Sequence, residues 1–257
     1  MRVLLLGGTG EARALAAALV ERGVDVETSL AGRVADPVLP VGGLRVGGFG
    51  GVDGLAAHAD AFDAVVDATH PFAETISGNA ARALAEPGSP PLLRLARPGW
   101  SEPAGTGVRP WVRVPDHETA AAAVLGHGER PFLTIGRQHL AAFTGPLAHL
   151  PVLARVVDAP EVAVPGAWTL LRSRGPYEPA GERTLLTEHR VDVLVTKDSG
   201  GPLTWPKMLA AAEAGIACVV VERPAPPAGV TLVEDVAAAV AWVSALAAET
   251  GEGTSGA

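Results

Sequence analysis

The sequence predicts an α/β chain of two units, each a mainly parallel sheet with helices on both faces, three layers deep. Three observations carry that expectation. Short apolar runs alternate with Ala-rich stretches of helical spacing from end to end, which is the pattern of βαβ units. Glycines stand at several points where an apolar run gives way to a helical pattern. A stretch rich in Pro and Gly (EPGSPP, RPGWSEPAGTG) interrupts the series near its middle and marks a domain connection.

In chain order, residues 3–6 read as a buried strand, and Ala12, Leu15, Ala16, Leu19 and Val20 follow at helical spacing. Gly23 stops that helix, residues 24–28 form a second strand, and a complete βαβ unit opens the chain. Further strands are expected at 44–46, 64–67 and 92–95, with helices at 54–59 and 73–85. A second series places strands at 111–114, 132–135, 152–157, 191–196 and 216–222, and helices at 118–125, 206–214 and 236–248. The expected domains are therefore 1–110 and 111–248, with a disordered tail at 249–257 whose composition (ETGEGTSGA) lacks apolar residues.

Composition narrows the function classes. The chain has 257 residues, 48% of them hydrophobic, enough for ordinary cores. Cys218 is the lone cysteine and sits in the apolar run IACVVVE, so neither an internal disulfide nor a cysteine metal site can form, and a reducing cytoplasm is the expected compartment. The amino terminus lacks a leader pattern, and no apolar stretch approaches the ~20 residues that span a bilayer, so membrane insertion is not expected. Net charge is -8 with no basic cluster interleaved with aromatics, which argues against a nucleic-acid partner. Of 20 basic residues only Lys197 and Lys207 are lysines, ten positions apart, which suggests that a compact ammonium is needed there.

Three segments have the polarity to carry chemistry. Gly7-Gly8-Thr9-Gly10-Glu11-Ala12-Arg13 lies where a strand turns into a helix, so glycines allow close approach and the helix start offers free N–H groups to a phosphate. Arg13 occupies the third glycine position of a dinucleotide fingerprint, so the match is partial, and a tight turn without ligand is the alternative. Glu27 stands at the distance of a ribose-binding acid but inside the second strand. The following Ser29-Leu30-Ala31-Gly32-Arg33 suits a ribose phosphate, which favours NADPH over NADH; Arg33 as a solvated surface charge is the alternative.

The second segment, Asp67-Ala68-Thr69-His70-Pro71-Phe72-Ala73, again follows a strand. Thr69 or His70 either caps the next helix or faces a ligand, and His70 can pass a proton near neutral pH. Ser77 and Asn79 are either helix surface or part of the same cleft. The third, Thr196-Lys197-Asp198-Ser199-Gly200-Gly201 leading to Thr204 and Lys207, reads as an anion-binding loop, with a structural Lys–Asp turn as the alternative. Arg94, Arg97, Arg137, Arg172, Arg174 and Arg223 together supply guanidinium for a ligand with several carboxylates. The other histidines, at 58, 117, 127, 139, 149 and 189, show no ligand spacing, and no metal site is expected.

Read in order, GGTGEAR, SLAGR, RVGGFGG, DATHPFA with ISGNA, RPGW, LTIGRQHL, LLRSRGP, LVTKDSGG with PKMLAAAEAGI, and VVVERP resemble the precorrin-6A reductase family of cobalamin biosynthesis, across residues 1–224. Each motif is weak alone, and nine in order are specific. The resemblance implies two Rossmann-like domains, an NADPH cofactor, a small-molecule tetrapyrrole partner, and hydride transfer to one double bond of precorrin-6A to give precorrin-6B. Gly10 then completes its glycine pattern by accident. Under this resemblance Gly7, Gly8, Thr9, Glu11, Ala12 and Arg13 meet cofactor phosphates, Ser29, Gly32 and Arg33 the 2′-phosphate, and Thr69 and His70 the cofactor. Arg97, Arg137, Arg172, Lys197, Ser199, Gly200 and Lys207 meet ring carboxylates, and His70 and Asp198 are candidate proton donors. The rival readings are an S-adenosylmethionine-dependent methyltransferase of the same pathway and a non-catalytic tetrapyrrole carrier.

Overall fold

A computed structural model of the chain describes residues 1–32, 38–105 and 107–252, with only the backbone described at 250–252. The chain divides into two compact units, Met1–Arg97 with Pro224–Ala257, and Pro98–Arg223. The first unit runs β1 (Arg2–Leu6), α1 (Gly10–Val20), β2 (Asp25–Leu30), β3 (Gly43–Val46), α2 (Val52–Ala59), β4 (Ala64–Asp67), α3 (Glu74–Ala83) and β5 (Leu92–Leu95). The second runs β6 (Val112–Val114), α4 (His117–Val124), β7 (Pro131–Thr134), a 3-10 turn (Arg137–His139), α5 (Ala141–Thr144), β8 (Leu153–Val156), β9 (Thr169–Arg172), α6 (Pro179–Glu188), β10 (Val193–Lys197), α7 (Pro206–Glu213) and β11 (Ala217–Val221). The chain then returns to the first unit with β12 (Thr231–Val233) and α8 (Val236–Glu252).

Each unit holds a six-stranded parallel sheet, ordered β12-β5-β4-β1-β2-β3 in the first and β6-β11-β10-β7-β8-β9 in the second. The first is the doubly wound dinucleotide-fold order read from one edge. The second repeats it, with β7, β8, β9, β10 and β11 in the places of β1 to β5, but its outermost strand is β6, which precedes the others in the chain. In the first unit the equivalent edge strand arrives last. The repeated pattern of the two halves is therefore a repeated topology with the sixth strand supplied from opposite ends.

α1 buries Ala12, Leu15, Ala16 and Leu19 at i, i+3, i+4 and i+7 against Val3, Leu5, Val26 and Val66 of the sheet. Ala239 and Val243 of α8 complete that same core. β12 pairs in register with β5, Thr231 opposite Leu93 and Val233 opposite Leu95. These contacts correct the expected boundary at residue 110 and the assignment of the last helix to the second domain. α8 also continues through Glu252, into the expected tail; residues 253–257 lie outside the described residues. β9, α6 and β12 were not expected. β9 and β12 are short edge strands with half-exposed residues, and α6 (PAGERTLLTE) carries a single fully apolar pair, so none shows a strong periodic signal. Among the described residues no helix is long and apolar enough to cross a membrane.

One glycine tests the packing of the first unit. A Cβ at Gly54, within α2, would stand 1.8 Å from the Phe49 carbonyl oxygen, a backbone atom that cannot swing away. Helix propensity alone makes Gly→Ala favourable by about 1 kcal/mol. We expect Gly54→Ala to destabilise instead, by about 1–3 kcal/mol in chemical denaturation. A raised midpoint would show that the helix yields freely.

Candidate functional site

In a doubly wound sheet the crevice opens where strand order reverses, at the carboxyl ends of the two central strands. In the first unit these are β1 and β4. Thr9 caps α1: its hydroxyl accepts from the Ala12 N–H at 3.1 Å and donates to the Ala68 carbonyl at 2.8 Å, tying the turn after β1 to the end of β4. Gly7 donates its N–H to the Ser29 carbonyl at 2.9 Å and has no room for a side chain, since a Cβ would lie 2.7 Å from Thr28 Cγ2. Gly8, exposed at φ 113°, brings the backbone to the helix start. With the Ala12 amide taken by the cap, the leading amides of α1 are those of Gly10 and Glu11, the positive end of an eleven-residue helix. Ala12 itself is core, 1% exposed, which corrects its expected ligand contact.

Beside this turn Glu11 Oε2 accepts from Arg97 Nη1 at 2.6 Å. Arg97, expected on ring carboxylates, thus pairs with Glu11 at the rim of the first unit, close to Thr69, Pro71 and Leu95. Under it lies a buried polar network. Asp67 Oδ1 pairs with Arg94 Nη1 at 2.6 Å and accepts from the Thr69 N–H and hydroxyl at 3.0 and 2.7 Å. Arg94 also donates to Thr69 Oγ1 at 3.0 Å and to the His70 carbonyl at 3.5 Å, and Ser77 Oγ stands 3.5 Å from Thr69 Oγ1. Arg94 is 4% exposed, so the guanidinium expected to meet a ligand instead shapes the loop that presents His70. α3 begins only at Glu74, so neither Thr69 nor His70 is its cap. His70 Nδ1 accepts from the Phe72 N–H at 3.2 Å, which leaves Nε2 to carry the proton of the neutral ring.

At the end of β2, Ser29 is buried and its hydroxyl accepts from Arg45 Nη1 at 3.4 Å. Arg45 also holds the Gly47 and Gly48 carbonyls at 2.7 and 2.8 Å and lies 4.0 Å over the Phe49 ring. Arg45 was missed, although RVGGFGG contains it. Gly32 is an exposed turn residue at φ 70°, and Arg33 lies outside the described residues. Glu27 pairs with His58 at 2.7 Å, away from the strand end.

In the second unit order reverses between β7 and β10. Asp198 follows β10 and is a structural hub: it accepts from the Trp100 N–H at 2.9 Å and from Arg113 Nη1 at 3.2 Å, with Arg223 Nη2 at 3.7 Å. Arg223 also donates twice to the Asp198 carbonyl, at 3.2 and 3.0 Å. The carboxylate of Asp198, expected as a proton donor, is thus engaged by an amide and two guanidiniums of its own unit. Gly200, at φ 64°, is pressed against Pro98, where a Cβ would sit 2.2 Å from the carbonyl oxygen. Ser199 donates its N–H to the Lys197 carbonyl at 2.7 Å. Arg137, in the turn after β7, donates to the Ala159 carbonyl at 3.3 Å. Arg172 ends the edge strand β9, exposed and two strands from β7.

The two lysines have opposite fates. Lys197 is half-buried at the sheet's carboxyl edge, and burial lowers its pKa to about 8. Lys207 is 3% exposed: its ammonium donates to the Thr204 carbonyl at 2.8 Å and lies 4.5 Å over the Trp100 ring. Burial first, then Arg155, pushes it to about 7. The expected contact between Lys207 and ring carboxylates is therefore corrected. The structure instead gathers His117, His139 and Lys197, which sequence spacing did not connect. Their common signal is position, each within the segment that follows a strand or at a strand's last residue. Among the described residues no group of three His, Cys, Asp or Glu is placed to hold a metal ion.

Two variants read these networks. Removing one partner of a buried ion pair costs about 3–5 kcal/mol and of an exposed pair about 0–1 kcal/mol, so Arg94→Met should shift the unfolding midpoint far more than Arg2→Met, whose partner Asp25 is exposed. Equal shifts would refute the network's role. An unfolded lysine titrates near 10.5 and folded Lys207 near 7. Between those values the unfolded chain binds the extra proton, so stability rises with pH across that window. Lys207→Met should abolish the rise contributed by this residue and leave the substrate KM unchanged, checked by denaturation at several pH values and by steady-state kinetics.

The model of the family described as precorrin-6x reductase CbiJ/CobK matches residues 2–244. The precorrin-6A reductase of Rhodococcus erythropolis is 52% identical over 248 residues, 95% of this chain and 98% of that protein. That of Mycobacterium tuberculosis is 49% identical with the same coverage. The cobalt-precorrin-6A reductase of Salmonella typhimurium is 32% identical over 87% of this chain and 88% of its own. A solved structure, CobK precorrin-6A reductase, superposes with a TM-score of 0.86 at 36% identity, covering 96% of this chain and 97% of that one.

Proposed function

The chain belongs to the precorrin-6x reductase CbiJ/CobK family, and on that premise we propose that it catalyses the NADPH-dependent reduction of precorrin-6A to precorrin-6B in cobalamin biosynthesis. The observation that carries the reading is the near-complete coverage of both chains at 52% identity by a relative named for that substrate. The first unit supports a dinucleotide: its strand order, the Gly7–Gly8 turn and the capped start of α1 make an anion cradle at the point where such folds hold a pyrophosphate. The Ser29 hydroxyl accepts from Arg45, and the proposed 2′-phosphate preference rests on the charge of Arg33 in the loop after β2.

When bound, the nicotinamide supplies a hydride to one carbon of the reduced double bond. The chain's own residues bind, orient and exclude water, which is where such an enzyme's contribution lies. The Gly10 and Glu11 amides receive cofactor phosphate, and Thr9 holds them in place through its bond to Ala68. Lys197, Ser199 and Arg137 take ring carboxylates as point charge, hydroxyl and fork. His70, fixed by the Phe72 amide and the Arg94 network, is the remaining candidate to deliver a proton from Nε2 to the adjacent carbon.

Loss of nicotinamide absorbance on mixing purified protein, NADPH and precorrin-6A is the expected result, and no loss with authentic substrate sinks the reductase reading. Arg33→Ala should weaken NADPH binding by about tenfold or more, about 1.4 kcal/mol, and leave NADH binding nearly unchanged. Lys197→Met should raise the substrate KM while the NADPH dissociation constant stays put.

A further inference from the structure

His117, His139 and Lys197 are far apart in the chain and meet at the carboxyl edge of the second unit's sheet. His117 opens α4 directly after β6, His139 closes the 3-10 turn after β7, and Lys197 ends β10. The two imidazoles stack face to face, with centroids 3.9 Å apart and planes 3° from parallel. Phe143 closes on His117 edge-on at 6.5 Å. The Lys197 ammonium lies over the same turn, since a Cβ at Gly136 would be 4.0 Å from its Nζ. His117 Nε2 is buried with no hydrogen-bond partner in the protein.

Three bases this close cannot all be charged. Burial, His139 and Lys197 press His117 down to about 4, against a smaller pull from Asp116, and burial with Lys197 lowers His139 against Glu118. Both rings are thus biased toward their neutral forms, and Lys197 is the cation of the three. The stack therefore holds two titratable rings, one with a buried unpartnered nitrogen, where apolar rings would pack as well. An arriving anion reverses the balance: it offsets the repulsion from Lys197 and favours a proton on His139, since the His117 Nε2 is buried, while a neutral ring beneath stabilises the imidazolium through its π face.

We propose that the His117–His139 stack and Lys197 form a proton-coupled carboxylate subsite in the second unit, in which His139 takes up one proton as a ligand carboxylate docks and His117 supports the imidazolium by stacking. This rests on the proposed assignment of that edge to a polycarboxylate ring. The proton comes from solvent and sits on an imidazole nitrogen, and no covalent bond changes. Asp116 at the cap of α4, Glu118 in its first turn, Arg137 on the turn after β7 and Lys197 on β10 are the charged groups around the pair.

The test titrates the full-length protein near pH 7 with uroporphyrin I, a stable tetrapyrrole polycarboxylate, by calorimetry in buffers of different ionisation enthalpy. Wild type should take up about one proton more per bound porphyrin than His139→Gln, and its affinity should rise up to tenfold more between about pH 7 and pH 6. His139→Phe, which retains the stack without a titrating nitrogen, should match His139→Gln and serves if the latter fails to fold. Equal proton counts in wild type and variant, or no porphyrin binding by wild type, overturn the subsite. NADPH consumption with precorrin-6A, measured on the same wild-type protein, reports separately: consumption with equal counts sinks the subsite alone, and unequal counts without consumption sink the reductase reading alone.

Discussion

A parallel strand can be followed by its parallel neighbour only after the chain has travelled back across the sheet, and both units are organised by that requirement. Every loop that leaves a strand emerges on one edge, and every loop that enters one lies on the other. Buried strands such as AVVD and ACVVV offer no polar side chains to either face until their last residues. Much of the polar chemistry therefore gathers at strand ends and in the segments that follow them: Thr9, Asp67 and Thr69 in the first unit, His117, His139, Lys197 and Asp198 in the second. The helices that cover the sheets are rich in Ala because they lie close to them, as Ala12 and Ala16 of α1 and Ala239 of α8 do.

The abundance of Arg has a different meaning from the one an acidic ligand suggests. Several guanidiniums are spent on the chain's own acceptors. Arg94 clamps Asp67, Arg113 and Arg223 clamp Asp198, and Arg45 gathers three backbone and side-chain oxygens at the end of β3. Arg155 makes two bonds to Glu182, the longer 3.0 Å, and lies 3.8 Å over the Tyr177 ring, with Lys207 close by in the same core. Each of these carboxylates is nearly out of water, where an ionised group is tolerated only with a paired and hydrogen-bonded partner. A planar fork satisfies that need better than an ammonium; the ammonium of Lys207, by contrast, is pushed down to about 7 by burial.

The parallel α/β class, the opening βαβ unit, the strand-to-helix turn after β1 and the family were all legible in the chain, because periodicity and the residues that end strands are local properties. The cap of α1 by Thr9 carries a signal of the same local kind, three residues from the amide it holds, yet the expected caps were Thr69 and His70. What sequence order could not disclose is who meets whom. Lys207 reads as an anion ligand and is a buried core residue; Asp198 reads as an acid and is a clamped carboxylate; His117 and His139 read as unrelated and stack. The closure of the first unit by α8 was hidden for the same reason, since its apolar face specifies burial but not the sheet that receives it. Local chemistry settles which residues can serve, whereas desolvation and pairing, which assign each its role, arise only when distant segments pack together.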